Sequence, residues 1–86
     1  MKGIRLTYNI SLHDLETRAH QAEKFLNEGD VLRVELTLRG REKALQGFAR
    51  EKLDKFIEML GALTPIKIEK QAKREARGLT MIISKG

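Results

Sequence analysis

His13 and His20 are the first residues that suggest metal or acid–base chemistry. They stand seven positions apart in a segment of helical periodicity. That is about 10 Å along the axis at about 1.5 Å per residue, too far for one ion. Glu16 can pair with His20 at i,i+4, but two ligands do not close a metal site. The chain has no cysteine, which excludes a disulfide framework, a thiolate zinc centre and a cysteine nucleophile. Every Asp and Glu falls on an expected helix surface, a helix cap or a wet strand face, with basic neighbours. None is set in the apolar run that tunes a carboxyl for general acid–base work. Gly40 and Gly47 flank a helix turn and do not form a phosphate cradle of the Walker or dinucleotide type. The expectation is therefore no catalytic residue, no metal and no cofactor: a protein that is not an enzyme.

The basic residues carry the stronger signal. The net charge is +5 and the isoelectric point about 9.8. Residues 1–40 hold six basic and six acidic side chains, whereas residues 41–86 hold eleven basic against six acidic. A small basic domain with lopsided charge suits a polyanion, and nucleic acid is the commonest. The competing reading of such charge is solubility alone. Two basic clusters stand out. Arg39, Arg41 and Lys43 gather where a strand meets a helix, whose unpaired N-terminal amides attract anions. Lys70, Lys73, Arg74 and Arg77 gather in the last connection, and arginine suits bidentate phosphate contacts. The aromatics are Tyr8, Phe25, Phe48 and Phe56 alone. The wet side of the clearest strand carries none, so bases have no platform on which to stack. An RNA-binding domain of this sequence grips backbone and shape.

Four strands and two helices position these residues. Ile4, Leu6 and Tyr8 alternate with polar residues as a half-buried strand. Ser11 offers an N-cap with Asp14 three residues on, at the positive end of the helix dipole. Leu12, Leu15, Ala19, Ala22 and Leu26 form one apolar helix stripe, which Gly29 closes as a left-handed cap. Val31 to Leu38 is the clearest strand, with Leu32, Val34, Leu36 and Leu38 on its packed side and Arg33, Glu35 and Thr37 on its wet side. Leu45, Phe48, Ala49, Leu53, Phe56, Ile57 and Leu60 line a second helix, ended by Gly61. Pro65 opens a strand with Ile66 and Ile68 inward, and Leu79, Met81 and Ile83 form the last strand. The segment from Lys70 to Gly78 reads either as a hairpin loop or as a short helix-like turn.

The order is thus β-α-β-α-β-β. Each strand keeps a polar side, so one sheet face is uncovered and both helices share the other. The fold class is α/β, a two-layer sandwich with a four-stranded mixed sheet and both helices on one face. Eighty-six residues make a single domain with one modest core, burying roughly 60–65% of the unfolded surface. No apolar run approaches the roughly 20 residues of a membrane span, and the N-terminal residues resemble neither a signal nor a transit peptide. A cytoplasmic monomer with no membrane partner and no small-molecule substrate is the expectation.

One stretch resembles a known family. Phe25-Leu26-x-x-Gly29-Asp30-x-x-Arg33-Val34-x-Leu36-x-Leu38-Arg39-Gly40-Arg41-Glu42 closely resembles the C-terminal domain of bacterial translation initiation factor 3. That family reads as a helix ending in F-L-x-x-G-D, a strand, then a basic R-G-R-E turn. Ile4-Arg5-Leu6 and Arg77-Gly78-Leu79-Thr80-Met81-Ile82-Ile83 also fall where the family has them, so the resemblance covers nearly the whole chain, and the implied domain is residues 1–86. It implies a ribosome-binding domain that contacts RNA of the small (30S) subunit at the platform near the P site. There it blocks joining of the large subunit and helps discriminate initiator tRNA and start codon. Carried over by position, the implied RNA contacts are Arg18, Lys24, Arg39, Arg41, Lys55 and Arg77. The chain departs from the family's pattern at Thr7, at His20, and at Lys43 and Leu45, where M-A-H usually follows R-G-R-E. The alternative from another class is a protein-interaction module using the open sheet face or its edge. A small enzyme of acylphosphatase-like layout needs an arginine–asparagine pair that Asn9 and Asn27 do not supply.

Overall fold

A computed structural model describes residues 1–7, 9–40, 46–76 and 78–86. Period-two alternation makes β1 (Lys2–Thr7) and β2 (Leu32–Thr37), with Ile4, Leu6, Leu32, Val34 and Leu36 inward and almost fully buried. Tyr8 lies outside the described residues. Between the strands runs α1 (Leu12–Asn27). Ser11 caps it, its hydroxyl accepting from the Asp14 amide at 3.1 Å. Gly29, at φ +89°, follows its C-cap Glu28. Then come α2 (Gln46–Leu63), β3 (Ile66–Glu75) and β4 (Gly78–Lys85). The sheet order is β1-β2-β4-β3. β1 pairs parallel with β2, which is why a helix must cross between them, while β4 runs antiparallel to both its neighbours. Inward side chains of the strands form one core with Leu15, Ala19, Ala22 and Leu26 of α1 and Ala49, Leu53, Phe56 and Leu60 of α2. This is the expected two-layer α/β sandwich.

Four expectations need correction. Leu12 is 59% exposed. It is the first residue of α1, and helical side chains lean toward the N-terminus, so it leans past the helix end. Phe48 is 49% exposed; it precedes buried Ala49 by one residue, about 100° around the helix, and so sits on the flank. Ile68 is 39% exposed although it pairs with buried Ile83, because β3 is an edge strand with no further strand beside it. Gly61 does not end α2, which continues to Leu63 and stops before Pro65, whose ring restricts the preceding residue. Leu45 lies outside the described residues.

The segment from Lys70 onward, left open between loop and helical turn, is neither. It is the second half of β3, paired with β4 as far as Glu75↔Gly78, with register shifts between Ile68 and Lys70 and between Lys70 and Lys73. An edge strand needs cover on one side only, so a polar, lysine-rich sequence can occupy it, and the lysines discourage edge-to-edge aggregation.

Candidate nucleic-acid interface

The described arginines of the open sheet face, Arg5 and Arg33, are paired with carboxylates. Arg33 Nε lies 3.0 Å from Glu35 Oε1 and its Nη2 lies 4.0 Å from Glu75 Oε2. Arg5 Nε lies 3.8 Å from Glu35 Oε2. Each exposed pair stabilises little, but together they tie up the two arginines of this face.

On the helix layer Arg50 Nε lies 3.4 Å from Asp54 Oδ1, whereas the other candidate cations are held differently. Arg18 donates from Nη1 to the neutral Gln21 Oε1 at 3.3 Å and has no ion pair among the described residues. It borders an open concavity with Arg5, Thr7, Asn9, Ser11 and Thr17, and Asp14 is the one carboxylate on that rim. Arg39, exposed just past β2, borders a neighbouring concavity with Thr7, Asn9 and Thr37. Thr7 and Asn9 line both. The two arginines therefore flank the carboxyl ends of the parallel strands β1 and β2, where α/β sheets commonly open a ligand crevice. The structure brings this pair together; the other candidates stand apart. Lys24 is exposed in the last turn of α1, about 9 Å along the axis from Arg18. Lys55 is exposed on α2. Neither has an acidic partner among the described residues. Arg41 and Arg77 lie outside the described residues, as does Lys43.

One residue of this region was not singled out in the sequence. Lys52 of α2 is half-buried and donates from Nζ to the Ile10 carbonyl oxygen at 3.1 Å. Its ammonium also stands 6.0 Å from the Phe48 ring centroid. Ile10 in turn donates its amide to Thr7 at 3.2 Å. Lys52 thus ties α2 to the turn that lines the Arg18 concavity. Its place four residues after Phe48 and four before Phe56 was the available signal, and a lysine there reads as solvent-facing. Among the described residues no group of three or more His, Asp or Glu could hold a metal ion, and no helix is long and apolar enough to cross a membrane.

The family model described as "Translation initiation factor IF-3, C-terminal domain" matches residues 1–86. Curated relatives carry the name translation initiation factor IF-3. That of Mesoplasma florum is 43% identical over 82 residues, covering 95% of this chain and 44% of the relative. That of Clostridium perfringens is 37% identical over 84 residues, covering 98% and 46%. That of Picosynechococcus is 32% identical over 84 residues, covering 98% and 46%. The chain spans a little under half the length of these relatives.

Proposed function

Because this chain belongs to the family of translation initiation factor IF-3 C-terminal domains, we propose that it binds the RNA of the small ribosomal subunit during translation initiation. Bound there, the domain keeps the large subunit from joining and supports selection of initiator tRNA and start codon. It acts as one unit over residues 1–86, as a cytoplasmic monomer, with no small-molecule substrate. Arg18, Lys24, Arg39, Arg41, Lys55 and Arg77 are its RNA contacts.

The observation that carries this reading is the placement of Arg18 and Arg39, which border adjoining concavities that share Thr7 and Asn9 at one end of the fold. Arg5, which also lines the Arg18 concavity, is paired with Glu35, and Arg33 is paired with Glu35 and Glu75. The phosphate backbone supplies most of the affinity in such recognition. With no aromatic on the open sheet face among the described residues, phosphate and shape are what this domain can read.

Sedimentation of the chain with isolated small and large subunits tests the proposal. Co-migration with the small subunit alone, together with slower subunit joining in light scattering, is the expected outcome. Equal partition onto both subunits would refute the assignment.

A further inference from the structure

In a regular strand, residues three apart point to opposite faces. Lys67, Lys70 and Lys73 do not follow this rule. The two register shifts of β3 fall between them, and their partners on β4 are Ser84, Ile82 and Thr80. These are alternate residues of β4, while the intervening Met81 and Ile83 are buried in the core. Directly opposed residues share a face, so all three lysines stand on the open side of the sheet. Their spacing follows β4, about 6.8 Å per step at about 3.4 Å per residue. That is close to the repeat of phosphates along an extended RNA strand.

We propose that Lys67, Lys70 and Lys73 form a row of ammonium groups that takes successive phosphates of one RNA strand. This is a second anion site, on the opposite layer of the fold from the helix-borne cations. All three side chains are exposed. Lys70 and Lys73 line one shallow concavity with Thr80 and Ile82, and neither has an ion pair among the described residues. Lys67 Nζ is 3.9 Å from Glu69 Oε1, the same oxygen that accepts from Ser84 Oγ at 2.7 Å. Glu75 shares the concavity but lies toward Arg33, at 4.0 Å, and marks the end of the row. β3 and β1 are opposite edges of the sheet, about 14 Å apart at about 4.8 Å per strand, so the row is a separate contact. An acidic peptide would dock by adding backbone hydrogen bonds to the edge. The two bulges interrupt the edge it would need. A phosphate chain requires only the charges.

The test is fluorescence anisotropy of the 86-residue chain with a labelled single-stranded oligouridylate across a potassium chloride series. It uses no ribosome, so its outcome is independent of subunit binding. Lys70→Gln with Lys73→Gln should weaken binding on the order of 10-fold at low salt and flatten the log–log slope by about 1.4, at about 0.7 per phosphate. Lys2→Gln with Lys85→Gln removes the same charge off the row and should leave the slope within a few tenths. Equal losses from both pairs would mean diffuse net charge and overturn the proposal. So would unchanged oligouridylate binding with loss of polyglutamate binding, which would make the row a protein-docking surface. A thermal melt checks that both variants remain folded. Amide shifts at Thr80, Ile82 and Ser84 on titrating the unmodified chain supply a readout that needs no variant, and their absence would also overturn the proposal.

Discussion

Gly78 is where one missing side chain permits two strands to meet. Its φ is +145°, and a Cβ placed there would overlap the Leu36 carbonyl oxygen of β2. Backbone cannot yield as a flexible side chain can, so Gly78→Ala combines an unfavourable backbone conformation with a clash. We expect a loss of about 2–4 kcal/mol in urea denaturation; an unchanged midpoint would mean that the end of β4 is free to move. Leu36 itself is 1% exposed at the centre of the sheet. Leu36→Ala should cost about 2–5 kcal/mol, a large share of the roughly 5–15 kcal/mol that holds a domain folded. Gly61 is the opposite case. It sits in the last turn of α2, and an added Cβ meets nothing within 4 Å. Gly61→Ala should raise stability by about 0.5–1 kcal/mol, and a lower melting temperature would contradict its placement within the helix.

Elements differ in how far local sequence determines them. β2 and α1 were legible because burial and periodicity agree: every second residue of β2 is packed, and Leu15, Ala19, Ala22 and Leu26 make one stripe. β3 was only half legible. After Ile68 its alternation breaks, because two bulges reset the face and the edge position removes the need for apolar residues. Gly61 misled for a related reason: glycine marks a helix end only when its left-handed conformation is used, and here Pro65 sets the stop. Tertiary ties are invisible at this scale altogether. The bond from Lys52 to Ile10 spans 42 positions and no local pattern signals it. We predict that Lys52→Met, which keeps most of the aliphatic stem, speeds amide exchange at Ile10 while leaving the Leu53 and Phe56 amides protected. Exchange unchanged at Ile10 would show that the turn holds itself.

Across the whole molecule, the basic side chains differ in whether a carboxylate holds them. Among the described residues Arg18, Lys24 and Lys55 on the helices and Lys70 and Lys73 on the sheet have no ion pair, whereas Arg5 and Arg33 on the sheet and Arg50 on α2 are paired. This difference was only partly legible in the sequence. Composition gave the excess of positive charge, but pairing depends on register, and Arg33 meets Glu75 only because β3 folds back beside β4. The difference makes a quantitative prediction for small-subunit binding. If Arg18, Lys24, Arg39, Arg41, Lys55 and Arg77 each neutralise about one phosphate, the log–log dependence of affinity on salt should have a slope of roughly −5, taking the duplex coefficient as a guide. Arg39→Ala should weaken binding and reduce that slope by about one. Arg33→Ala removes the same formal charge from a residue already held by two carboxylates. It frees Glu35 and Glu75 on the open sheet face, where Glu75 shares a concavity with Lys70 and Lys73, and it touches none of the six residues counted here. Its effect should therefore be small and its slope unchanged. If both variants weakened binding equally at equal thermal stability, the subunit would be sensing net charge and not the arrangement of arginines at the strand ends.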